Sequence, residues 1–183
     1  MTWIALLMVR LVMGGLLIGH GAQKLFGAFG GKGVAGTAQG FEKMGLEPAQ
    51  EWAQVAGAAE VAGGGMTALG LLSPIGQIVT SAPMIVAWRK KHGDKPIWVN
   101  QGGAELPMTN LTIAAALMLA GPGAISVDRL LGIKTPWWLS LLAIVGTAAG
   151  IAVALSDDIH EAAEAIRTEE VATRMTEELS VPR

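Results

Sequence analysis

The chain has 183 residues, 51% of them apolar, with a formal net charge of −2 and no cysteine. Without cysteine, a disulfide framework, thiolate catalysis, iron–sulfur ligation and cysteine-ligated zinc are excluded, and no basic run interleaved with aromatics suggests nucleic acid. Several apolar runs approach the roughly 20 residues that cross a hydrocarbon core of about 30 Å. They are continuous rather than alternating in segments of roughly ten residues, which predicts an all-α membrane protein and not a β-barrel.

The first ten residues, MTWIALLMVR, hold no basic residue ahead of the apolar run, and no convincing small-x-small cleavage site ends that run. This is unlike a signal peptide, and a retained span from Thr2 to Phe26 is expected, with Trp3 and Phe26 near the two interfaces. The glycine-rich segment 27–50 reads as a loop, with a short amphipathic helix around Thr37 to Met44 on the membrane surface. A second span is expected from Trp52 to Leu72, interrupted by Glu60, and Ser73-Pro74 makes a tight turn. The third, Ile75 to Trp88, is short, and Gln77, Thr80, Ser81 and Pro83 weaken it. Such a helix is tolerable when buried among neighbours.

A polar hairpin follows, Arg89 to Glu105. Pro107, in a first-turn position, opens a fourth span that ends at Gly121-Pro122-Gly123. The connector Ala124 to Thr135 carries Asp128, Arg129 and Lys134, and Pro136 leads into a fifth span, Trp137 to Leu155. Ser156-Asp157-Asp158 then caps a tail helix reaching about Leu179. The tail carries three Lys and Arg against eight Asp and Glu, so it differs from the basic amphipathic helices drawn to anionic lipid. The organisation predicted is a four-helix membrane bundle over 1–123, a connector with a fifth transmembrane helix over 124–155, and an acidic helical tail over 156–183.

Five spans put the termini on opposite sides. One side collects Lys32, Lys43, Arg89, Lys90, Lys91, Lys95 and the arginines of the tail, whereas the other collects only Arg129 and Lys134. The positive-inside bias then places the N-terminus outside and the C-terminus in the cytoplasm.

Charged groups inside a span are costly unless paired. If both helices begin level with their interfaces, Arg10 lies about 12 Å below the outer face and Glu60 a similar distance above the inner one. An intramembrane Arg10–Glu60 pair is therefore expected, either locking two helices together or relaying a proton. His20, Gln23 and Lys24 share a helix face by i, i+3, i+4 spacing. They face the glycine-rich exit, where an anion, carbonyl or quinone head group fits. The bland alternatives are a hydrogen-bonded packing histidine and a lysine that snorkels. A metal site needs several convergent ligands, and His20 is the only histidine within an expected span, so none is expected. GAFGGKG lacks the ending and the preceding strand of a phosphate loop.

Taken in order, Arg10, Gly19-His20-Gly21 with Gln23-Lys24-Leu25-Phe26, Gly30-Gly31, Gly36-Thr37, Gly57, Glu60, Gly63-Gly64, Gly102-Gly103-Ala104-Glu105 and the GPG…SVD segment from Gly121 to Asp128 resemble the DoxX/DoxD family of small membrane proteins. The resemblance covers about residues 5–128. It implies a four-helix membrane bundle and an association with redox chemistry, since members are named as a subunit of a thiosulfate:quinone oxidoreductase and as a membrane partner of superoxide dismutase and a sulfurtransferase. Two features depart from the pattern. The chain has no cysteine, and Ala104 stands where an aromatic residue is usual.

The expectation that results is a membrane subunit of a redox or respiratory assembly, with His20, Gln23, Lys24 and Glu105 around a quinone head group or lipid and no covalently bound cofactor. No self-sufficient catalytic constellation is legible. Expected partners are the bilayer, other membrane or peripheral redox proteins, or a second copy. The alternative is a structural subunit that recruits a neighbour through its fifth helix and tail. A small-solute transporter ranks third, because the span order shows no inverted repeat.

Overall fold

The computed structural model describes residues 2–156, and the expected tail helix lies outside them from residue 157 onward. The described residues form α1 (Thr2–Phe26), α2 (Gly33–Glu42), α3 (Ala49–Leu69), α4 (Ile75–His92), α5 (Glu105–Ala120), α6 (Val127–Leu131) and α7 (Trp137–Ala154), with 3-10 turns at Ala28–Gly30 and Val99–Gln101 and no strand among them.

α1 occupies the residues expected of the first span. Arg10, Met13, Gly14, Leu17 and Gly21 are its buried positions. That spacing draws one stripe along a 3.6-residue helix, and the stripe packs on α3, the most extensive helix pair among the described residues. Gly14 and Gly21 make the approach possible. A Cβ on Gly14 would stand 2.5 Å from the Gly64 carbonyl oxygen, and one on Gly21 would stand 2.6 Å from that of Gly57. Small residues at a helix crossing bring two backbones close enough for dispersion contacts to hold them without a hydrophobic driving force. Met13 and Leu17 of α1 meet Ala114 and Leu117 of α5 in the main apolar core.

Outside the stripe α1 is apolar and exposed, with Met8 61%, Val12 62% and Leu16 61% accessible. α7 is exposed and apolar on most of its circumference and packs mainly on α4. A helix that is apolar all round and not covered by protein belongs in lipid. α1 and α7 are the two described helices both long and apolar enough to cross a membrane, while the apolar α5 has 16 residues.

Several elements differ from expectation, and the second span, expected from Trp52 to Leu72, is α3 at Ala49–Leu69. The helix expected as the third span, α4, runs on to His92 and reaches 18 residues, about 27 Å at 1.5 Å per residue. Its last turn is Arg89, Lys90, Lys91 and His92, cations that the carbonyl end of a helix favours. Around Pro83 the Thr80 and Ser81 hydroxyls donate to the carbonyls of Gly76 and Gln77, at 3.0 and 2.8 Å. The short helix expected around Thr37 to Met44 within segment 27–50 is α2, which begins four residues earlier, at Gly33, ends at Glu42 and packs against α3 and α1. The connector after α5 holds the one-turn helix α6, capped by Ser126, whose hydroxyl oxygen accepts from the Arg129 N–H at 3.1 Å.

Candidate functional site

The polar residues of α1 sort into two clusters because of how α1 and α3 are staggered. Gly14 faces Gly64 and Ala68, and Gly21 faces Gly57 and Val61, so facing residue numbers add up to about 80. Arg10 is therefore level with the residue after α3 ends, and Glu60 is level with His20. Ten residues of α1 separate those levels, about 15 Å. The expected Arg10–Glu60 pair does not form. It assumed two helices starting flush with their interfaces, whereas the first turns of α1 overhang the end of α3.

At the overhanging end, the Arg10 guanidinium donates to three main-chain carbonyls: Ala68 at 3.4 Å, Ile125 at 2.7 Å, and Pro122. Each is a carbonyl at or beyond a helix C-terminus, where the backbone has no intrahelical donor and favours a cation. Asp128 completes the cluster. Its two carboxylate oxygens accept from the Leu72 and Ser73 N–H groups at 2.8 and 2.9 Å, and its own N–H donates to Gly70 at 3.1 Å. Gly70 caps α3 at φ +62°, and a Cβ there would stand 2.8 Å from Arg10 Cζ. Leu72 is also left-handed, at φ 49°. Such a conformation costs a leucine of the order of 1 kcal/mol, and the Asp128 bond to its N–H holds it in place. Arg10 and Asp128 are 2% and 3% exposed. They tie the α3–α4 turn to the connector after α5, and neither lines the cavity described below. Composition gave no sign of Asp128 in this role. Its only signal was its place after Gly121-Pro122-Gly123, behind the helix-capping Ser126.

The second cluster lies toward the other end. Lys24 Nζ and Glu60 Oε2 are 2.6 Å apart, with the side chains 24% and 2% exposed. The buried carboxylate thus takes its charge partner from α1 as expected, but from a lysine fourteen residues after the arginine. His20 Nδ1 lies 3.2 Å from Gln23 Oε1, the i, i+3 contact anticipated on that face. Gln23 points away from the cavity described next, with its amide 3.5 Å from the Phe29 carbonyl. Glu105 is also elsewhere. Its Oε2 accepts from the Val99 N–H at 2.9 Å and closes the 3-10 turn ahead of α5.

His20, Lys24 and Glu60 line a half-open cavity of about 840 Å³ bordered by α1, α2, α3, α4, α5 and α7. Its walls are apolar: Val55, Ala56 and Ala59 from α3, and Val79 and Met84 from α4. α7 turns its small residues inward, and Gly146 and Gly150 have open space where a side chain would stand. Lys32, Lys90, Lys91 and His92 add cationic or titratable groups from the start of α2 and the end of α4. Apolar walls with a few convergent polar groups are the usual make-up of a small-molecule site, and this volume suits a lipid-like molecule with a compact polar head. The sequence pointed to His20 and Lys24. It missed the walls contributed by α2 and α7, because nothing local in those segments says which face turns inward.

No curated protein and no solved structure matches the chain. Residues 5–93 match the family model described as DoxX. The match takes in α1 to α4 with both Lys24 and Glu60, and it ends before the Gly102–Glu105 and Gly121–Asp128 segments that also carry the resemblance. By this match residues 5–93 carry a DoxX domain, and the chain is a small helical membrane protein.

Proposed function

We propose that the chain is a membrane subunit of a redox or respiratory assembly and that its cavity receives a quinone. The observation that carries this reading is the buried Lys24–Glu60 pair, with His20 beside it, opening on an apolar cavity of about 840 Å³. The residues fit the group. Lys24 Nζ and the His20 ring offer donors for quinone oxygens, Asn110 is a further amide within the lining, and the aliphatic walls accommodate a prenyl tail. When bound, a quinone supplies two-electron chemistry coupled to proton uptake. The chain's own residues exclude water, orient the head, and hold a proton between the Lys24 ammonium and the Glu60 carboxylate. Five spans, with the N-terminus outside and the cationic ends of α1 and α4 at the cytoplasmic face, agree with the distribution of lysine and arginine.

The test is the quinone content of protein purified in mild detergent, measured after solvent extraction. Gly146→Leu fills the cavity from a position with open space around it. Retained quinone that Gly146→Leu and His20→Ala remove supports the reading, and protein that carries none, or whose variants carry as much, overturns it. The alternative, a structural subunit that holds neighbours through α7 and the tail, is favoured by the exposed apolar circumference of α7. It predicts loss of co-purifying proteins on truncation before Trp137, with no quinone found.

A further inference from the structure

Asn110 of α5 borders two spaces at once. On one side it lines the cavity of His20, Lys24 and Glu60, and on the other it lines a groove of about 270 Å³ between α1 and α5. The groove belongs to the lipid-facing side of the bundle. Its α1 residues include Met8, Val12 and Leu16, exposed apolar positions of a helix apolar enough to span, and Ile113 joins them from α5. A side chain that borders both spaces makes the wall between them one residue thick at that point. The wall is also weakly closed. Asn110 Nδ2 donates to the Met84 thioether at 3.5 Å, and thioether sulfur is a weak acceptor. α1 packs far more extensively on α3 than on α5, and the flexible side chains of Met8 and Met13 in the groove repack at little cost. The two helices can therefore part where the wall is thinnest.

We propose that the α1–α5 seam is a lateral entry, through which the cavity draws a lipid-soluble ligand sideways from the hydrocarbon layer, with the ligand's apolar tail lying in the groove. The occupant follows from continuity. Asn110 is the one polar residue among the described residues that line the groove, and on its other side stand His20, Lys24 and Glu60. A molecule that fits both spaces is apolar along its length and polar at its leading end. Asn110 is then the first hydrogen-bonding group that the head meets, and its amide offers both donors and an acceptor. The proposal rests on the cavity receiving a lipid-soluble molecule, and not on that molecule being a quinone.

The chain has no cysteine, so a single thiol placed in the cavity reports what reaches it. The full chain with Ala59→Cys, a position lining the cavity, is reconstituted in phosphatidylcholine vesicles. It is then treated with bilayer-dissolved N-dodecylmaleimide or with a water-soluble cationic methanethiosulfonate. Dodecylmaleimide should label the thiol. Val12→Trp/Leu16→Trp fills the groove from lipid-exposed positions. It should slow that labelling by about ten-fold or more, as overpacking raises the barrier to parting the helices, and leave the methanethiosulfonate rate unchanged. Asn110→Ala thins the wall and should raise the dodecylmaleimide rate. Leu11→Trp, 51% exposed and outside both spaces, should change neither rate. The proposal is overturned by absent dodecylmaleimide labelling, by a rate that the groove-filling pair leaves unchanged, or by one that Asn110→Ala fails to raise. Equal slowing of both reagents, or equal slowing by Leu11→Trp, also overturns it. Labelling that falls as the protein-to-lipid ratio rises would assign the groove to a second copy of the chain, with the same consequence. None of these readouts involves quinone, so purified protein without quinone would overturn the quinone reading and leave the lateral entry standing.

Discussion

Lys24→Met and Glu60→Gln remove the two halves of one ion pair, and the structure predicts unequal losses. Glu60 is 2% exposed and its partner 24%. With Lys24 gone, the carboxylate stays in an apolar wall with its charge uncompensated, and breaking a buried pair in this way costs about 3–5 kcal/mol. With Glu60 neutralised, the amide keeps an acceptor for the ammonium, and a partly exposed lysine can swing its head toward the cavity mouth. That loss should stay near 1–2 kcal/mol, the scale of one charge-assisted hydrogen bond. The double variant carries no stranded charge, so its loss should fall short of the sum of the singles by about 2 kcal/mol. Reversible unfolding in mixed micelles, followed by circular dichroism, measures all three. Equal single losses, or additivity within about 0.5 kcal/mol, would refute the assignment of Lys24 as the compensating charge for Glu60.

Asp128→Ala strips the acceptors from two backbone N–H groups and leaves the buried Arg10 without its nearby carboxylate. The expected loss is about 3 kcal/mol, read as a drop in the thermal midpoint, and an unchanged midpoint would remove Asp128 from the structural cluster. Gly14→Ala forces a Cβ to 2.5 Å from the Gly64 carbonyl oxygen, which should cost about 1–3 kcal/mol by pushing α1 from α3. Gly15→Ala, one residue on and with nothing within 4 Å, should be neutral or stabilising by up to about 1 kcal/mol. The pair of midpoints checks the crossing, and similar losses at both sites would contradict it.

Much of the fold was legible because hydrophobic run length reports helices directly: α1 lies on the residues expected, and α7 ends one residue short of them. The stagger of α1 on α3 was not legible, and that decided the charge pairing. Arg10 and Glu60 each look like a misplaced charge awaiting the other, but the partner is fixed by which glycines meet at the crossing, a tertiary fact. The α4 boundary was misjudged for a related reason. Arg89 to His92 end an apolar run yet extend a helix, since the carbonyl end tolerates cations that the bilayer interior would not. His20 and Lys24 were recognisable as a polar face by their spacing alone. Glu105 was placed with them through the resemblance, and its side chain instead serves the turn at Val99.

Two groups of charges on one helix thus carry different work. Arg10 spends its donors on carbonyls that helix ends leave open and does not line the cavity of Lys24, so a proton path from Arg10 to Glu60 would have to cross about 15 Å of packed helix. Lys24 faces a volume large enough to hold a ligand. That volume owes a wall to α7, which lies beyond the matched residues 5–93 and yet presents Gly146, Thr147 and Gly150 to it. An interior wall of small residues on a helix otherwise bathed in lipid makes room beside α4, where larger side chains would fill it. α7 therefore shapes the cavity, and the space beside Lys24 and Glu60 depends on a segment outside the family match as much as on the pair within it.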